Sequence, residues 1–76
     1  MQFTLTVPAY WNFTPTALML QYVANNRAAS FNRDEYFNCF IYTNGKRYYY
    51  DHWNIEDDGS DPDTIKVTVF LKEKKQ

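Results

Sequence analysis

The chain has little of several things, and each shortage excludes something. Among its 76 residues there is one cysteine, Cys39, so no internal disulfide framework is available. One histidine and that one thiol are too few for a structural zinc site built from these residue types. No apolar run approaches the roughly 18–20 residues that cross a bilayer. Met1-Gln2-Phe3-Thr4 carries neither a basic stretch nor a long apolar one. The expectation is therefore a chain with no export signal and a cytoplasmic location. Net charge is only -1, which gives no global attraction to nucleic acid or to an anionic membrane.

What is present is aromatic. Tyr, Phe and Trp make up 20% of the chain, within an otherwise ordinary 45% hydrophobic and 22% charged composition. That composition suits one small globular domain spanning residues 1–76, near the lower size at which a chain folds unaided.

Phe3-Thr4-Leu5-Thr6-Val7 alternates apolar and polar, the period of a half-buried strand, and Pro8 ends it. Tyr10, Trp11 and Phe13 load the following loop with ring area, which implies that the loop packs back on the core. Thr14-Pro15 opens a helix: Thr14 can cap, and proline suits the first turn, where its missing N–H has no partner to lose. Leu18, Met19, Tyr22 and Val23 then form a broad apolar stripe, and a helix is expected over 15–26. The competing reading is a strand from Leu18 to Val23, because Leu18, Leu20 and Tyr22 also alternate. Asn32-Arg33-Asp34-Glu35 leads into the next strand.

Asn44-Gly45 between two aromatic-rich runs is a strong hairpin signal, since a type I′ turn needs positive φ at both central residues. Strands are expected over 36–43 and 46–53, with Thr43 opposite Lys46 and Tyr42 opposite Arg47. A loop over 54–63 and a last strand over 64–72 follow, with Ile65, Val67, Val69 and Leu71 on one face. The tail from Lys72 onward is polar. The expected fold is α+β: a small two-layer sandwich, one helix on a four-stranded, mostly antiparallel sheet in the order β-α-β-β-β.

The hairpin register sorts side chains. Phe37, Cys39, Ile41, Tyr48, Tyr50 and His52 share the face expected to meet the core. The opposite face is expected to display Tyr36, Phe40, Tyr42, Tyr49, Trp53 and Phe70, flanked by Arg47, Lys66 and Lys72. A ring-covered face of that extent on a soluble chain marks a contact site. Two plainer readings compete: the segment around Tyr10, Trp11 and Phe13 folds across it, or two copies pair there. Inverting the faces is a further alternative, since Phe40, Tyr49 and Trp53 suit a core.

Chemistry is sparse. Cys39 and His52 fall diagonally on one face, but no third group orients the imidazole, so a small buried hydrophobe is the better reading of the thiol. Residues 56–63 hold five of the nine acidic residues: Glu56, Asp57, Asp58, Asp61 and Asp63. They lack the calcium-loop frame, and no metal or other cofactor is expected. Asp57, Asp58, Asp61 and Asp63 instead suit a solvated turn, or an acidic prong facing a basic protein surface. Lys46-Arg47-Tyr48-Tyr49-Tyr50 mixes cations and rings, as single-strand-binding sheets do, but without the aromatic signature of RNA-recognition sheets.

The favoured function is a non-enzymatic protein-binding module. Its contact residues would be Tyr36, Phe40, Tyr42, Arg47, Tyr49 and Trp53 together with the acidic loop. Seven Asn, seven Tyr and six Phe against two Gly suggest an AT-rich coding sequence, as in small phage or mobile-element genes. An inhibitor of a host nucleic-acid-processing or defence enzyme, of the anti-restriction or anti-CRISPR kind, belongs to that class. The alternatives are a single-stranded nucleic-acid binder and a structural homo-oligomer.

Overall fold

The computed structural model describes residues 1–57, 59 and 61–73. Strand β1 (Gln2–Pro8) leads to helix α1 (Pro15–Ala24), followed by β2 (Ser30–Arg33), β3 (Cys39–Thr43), β4 (Lys46–Glu56) and β5 (Thr64–Glu73). The strands form a curled, five-stranded antiparallel sheet in the order β1-β5-β4-β3-β2. The chain is α+β, as expected, with one more strand than the four expected and with α1 lying in the hollow of a half-barrel rather than on a flat layer. The extra strand is β2, which holds only four residues and one large apolar side chain, Phe31.

The helix follows from its ends and its stripe. Thr14 is extended (φ -121°, ψ 162°), and its hydroxyl accepts a hydrogen bond from the Ala17 N–H at 3.2 Å. Such a cap contributes about 1 kcal/mol. Ten residues would not hold a helix in water, so packing holds it. Leu18 and Met19 are fully buried, each contributing about 1.5–3 kcal/mol of apolar transfer. The Tyr22 ring stacks on Phe3 at 4.4 Å. The helix stops at Ala24, two residues short of the expected end, where Asn25 caps it.

The Asn44-Gly45 turn has φ of 55° and 74°, both positive as a type I′ turn requires. It sets Thr43 against Lys46, Tyr42 against Arg47, Ile41 against Tyr48 and Phe40 against Tyr49, which is the expected register. Phe3 and Val7 of β1, Ile41 of β3 and Val67, Val69 and Leu71 of β5 line the concave side and close on α1.

Two departures rearrange the faces. In β4 the pairing with β5 shifts between Tyr50 and His52, leaving Asp51 as a bulge. One extra residue reverses the alternation beyond it. Tyr50 and Trp53 therefore share the concave side, their rings 5.9 Å apart, while His52 turns outward and stacks on Phe70 at 4.5 Å. In addition, residues 36–38 are not strand. β3 begins only at Cys39, and the preceding residues form the turn from β2.

Segment 9–13 packs back through Trp11 and Phe13, over the concave side, while Tyr10 is 87% exposed. Phe13 meets Trp53 edge-on at 5.1 Å, and the Ala9 N–H donates to the Asp63 carbonyl at 2.8 Å. The last strand reaches Lys72 as expected and runs one residue further, to Glu73. No helix among the described residues is long and apolar enough to cross a membrane.

Candidate functional site

The turn between β2 and β3 is built around one carboxylate. Asp34 opens it, and its backbone N–H donates to the Asn38 carbonyl while the Phe37 N–H donates to the Asp34 carbonyl, both at 3.0 Å. Asp34 Oδ1 accepts from the N–H groups of Tyr36 and Asn38, each at 2.9 Å. Asp34 Oδ2 accepts from the Tyr49 hydroxyl at 3.1 Å. Partial desolvation pushes the Asp34 pKa up, but the hydrogen bonds from Asn38, Tyr36 and Tyr49 outweigh it and hold the pKa below the usual carboxylate value.

This clamp holds an unfavourable conformation. Phe37 has φ of 65°, in the left-handed region, where a side chain with a Cβ costs about 1–2 kcal/mol. Glycine is the ordinary occupant of such a position after a tight turn. The Phe37 ring recovers little of that cost by burial, being 80% exposed, and neighbouring Tyr36 is 72% exposed. Two aromatic rings are thus projected into solvent from a braced, strained turn. Strain of this kind concentrates at binding and switching sites.

Beside the turn lies an open cleft of about 820 Å³. Tyr36, Phe37 and Cys39 form one wall, Pro15 and Met19 of α1 another, and Tyr50, Lys72 and Glu73 the floor and rim. The lining combines aromatic rings and a thioether with the charged side chains of Asp34, Lys72 and Glu73.

The expected contact residues are scattered. Tyr42 and Tyr49 do lie on the convex side with Phe70, Arg47, Lys66 and Lys72, and Tyr42 is 45% exposed. Phe40 shares that side yet is only 5% exposed. The Arg47 guanidinium sits 4.7 Å over its ring, and Tyr49 packs against it at 5.4 Å. Long side chains can seal a ring without any covering layer. Trp53 lies on the opposite side, half-buried against the core, because of the bulge. Tyr36 is exposed, but on the turn rather than on the sheet. The continuous aromatic face expected from strict alternation is therefore broken up.

Phe37, expected in the core, is the residue that alternation misplaced most. A signal was available: Asp34 is the favoured first residue of a type I turn, which ends the strand before Phe37. Cys39 and His52 do not meet, since Cys39 lines the cleft while His52 faces out on the convex side against Phe70. Asp57, Asp61 and Asp63 are exposed in the loop joining β4 to β5, and Asp58 lies outside the described residues. Two of these side chains are used locally: Asp57 Oδ1 accepts from the Gly59 N–H and Asp61 Oδ1 from the Asp63 N–H. These are turn-stabilising bonds. Among the described residues no three His, Cys, Asp or Glu side chains gather as metal ligands.

No protein-family model, curated protein or solved structure matches the chain.

Proposed function

We propose that this chain is a non-enzymatic protein-binding module whose contact site is the turn at residues 34–38 together with the adjoining cleft. The observation that carries this reading is the Phe37 ring, held in the left-handed region and exposed to water by a clamp on Asp34. A surface ring on strained backbone contributes little to folding. As a binding anchor it is well placed, because the bracing is already in place before contact and little ordering entropy remains to be lost. The partner offers an apolar socket for Phe37 and Tyr36. Basic groups around that socket would meet Glu35 and the acidic residues Asp57, Asp58, Asp61 and Asp63, steering the encounter. Enzymes that act on nucleic acids carry such basic surfaces, and inhibition of one by a small phage-type or mobile-element protein is the specific form of this proposal.

The test is affinity capture from the source cell with the wild-type chain and with Phe37→Gly, which removes the ring and suits the backbone. A protein retained by the wild type is then purified and its affinity measured by calorimetry. At least a tenfold loss with Phe37→Gly, equivalent to about 1.4 kcal/mol, is expected for an anchor. Equal affinity for wild type, Phe37→Gly and Tyr36→Ala would overturn the proposal. Salt-sensitive retention of single-stranded nucleic acid, lost with Tyr42→Ala or Tyr49→Ala, would replace it with the nucleic-acid reading.

A further inference from the structure

The open edge of β1 has a pattern that reads the same in both directions. Strand β1 is at one end of the sheet, paired with β5 on one side only. In an antiparallel ladder, alternate residues turn their N–H and C=O toward the neighbouring strand. The Met1 carbonyl accepts from the Leu71 N–H, and the Ala9 N–H donates to the Asp63 carbonyl. Odd-numbered residues of β1 thus face β5. Gln2, Thr4 and Thr6 turn their N–H and C=O groups outward, while the Pro8 carbonyl already accepts from the Trp11 N–H at 3.0 Å.

Natural sheets blunt an open edge with lysine, an internal proline, a bulge or brevity. The other edge, β2, is four residues long and ends on Arg33. β1 is seven residues long, uncharged and paired with β5 without a register shift, and its proline comes last. Its apolar residues Phe3, Leu5 and Val7 point to the helix side, with Thr4 and Thr6 on the other. Reversing Phe3-Thr4-Leu5-Thr6-Val7 gives the same order of chemistry, centred on Leu5. A two-fold contact requires this, because each surface must complement itself.

We propose that two copies of this chain pair antiparallel along β1, with the two-fold axis at Leu5, forming one sheet continuous across both copies. Thr4 then faces Thr6 of the second copy, and each such pair exchanges both backbone hydrogen bonds through the outward groups. The ladder ends beyond these pairs, because Pro8 has no N–H and its carbonyl is taken by the Trp11 N–H of its own chain. Leu5 faces Leu5 in the closer, non-hydrogen-bonded type of pair, with Phe3 against Val7 to either side. Leu5 is only half-buried between the buried Phe3 and Val7, so this contact covers the gap in that row. One strand pair buries less than a standard permanent interface of about 1,200–2,000 Å², so association depends on concentration. The surface is separate from the 34–38 turn, and the two proposals stand or fall independently.

Sedimentation equilibrium of the full chain, from low to high micromolar, should move from the monomer mass toward twice that mass. Thr6→Pro removes an outward N–H that the chain's own ladder does not use, so it should give a folded monomer with an unchanged far-ultraviolet spectrum. Amide exchange on the wild type provides a check that needs no variant. The N–H groups of Thr4 and Thr6 should exchange freely in dilute solution and become protected as the dimer forms. A wild type that stays monomeric throughout would overturn the proposal, as would a dimer whose Thr4 and Thr6 amides remain unprotected. If Thr6→Pro fails to fold, the exchange experiment decides. If it folds and still dimerises, the β1 edge is not the interface.

Discussion

The Tyr49 hydroxyl and the Asp34 carboxylate, 15 residues apart in sequence, meet at 3.1 Å and tie the convex side of β4 to the turn between β2 and β3. The ring that helps seal Phe40 thus also braces the base of the exposed Phe37 turn.

Protonating Asp34 should loosen this turn. Its folded pKa is depressed, so the stabilisation is fully present above the unfolded carboxylate pKa and is lost as pH falls through the lower folded value. Hydrogen exchange at the Tyr36 and Asn38 amides, measured across the acidic range, should accelerate there beyond the intrinsic rate. In Asp34→Asn the side-chain oxygen still accepts but does not titrate, so the acceleration should vanish. The same acceleration in that variant would rule out Asp34 as its cause.

Phe37→Gly should stabilise the fold while weakening partner binding. Relief of about 1–2 kcal/mol of left-handed strain, less about 0.5–1 kcal/mol of added unfolded-state freedom, leaves a net gain of up to about 1.5 kcal/mol. Urea unfolding with an unchanged slope measures it. A lower midpoint would mean that the ring supports the fold.

Trp53→Ala and Tyr42→Ala should behave very differently. Trp53 packs against Phe13 and Tyr50 on the concave side, and truncating a large half-buried ring costs about 2–4 kcal/mol. Tyr42, half-exposed on the convex side, should change stability by within about 0.5 kcal/mol. Thermal unfolding of both variants checks the assignment of faces, and similar losses would refute it.

Gly45→Ala should cost about 1–2 kcal/mol from its positive φ alone. Nothing lies within 4 Å of the added methyl group, so no clash contributes. A loss well above this range, measured by denaturant titration, would point to a shift in strand register.

The parts of the fold legible in the sequence are those set by strong local rules. Thr14-Pro15 fixes the helix start, Asn44-Gly45 fixes the hairpin register, and the alternation from Ile65 to Leu71 fixes the inner face of β5. What stays hidden depends on neighbours. Residues 46–53 read as uninterrupted strand material and 54–56 as loop, although β4 runs on to Glu56, and nothing about Asp51 as a residue type announces a bulge, because the bulge is set by pairing with β5. β2 is too short, and has too little apolar bulk, to give a periodic signal. The Asp34 turn is disguised by an aromatic residue where glycine is the ordinary choice. Placing Tyr36 and Phe37 in a strand sent Phe37 to the core and put Tyr36 on the sheet, and the exposed ring comes into view only with the φ and exposure of Phe37.

The bulge at Asp51 also makes β4 unequally tolerant of changes in chain length. Deleting that residue would join Tyr50 directly to His52, keep Tyr50 opposite Leu71 and His52 opposite Phe70, and leave Trp53 and Ile55 on the concave side as a regular ladder. A one-residue loss should therefore be absorbed at the bulge as well as between Asp57 and Asp63, whereas a loss from the regular pairs on either side would turn side chains to the wrong face. In variants of this chain, the spacing from Gly45 to Trp53 should shorten by one residue only where the bulge itself is lost.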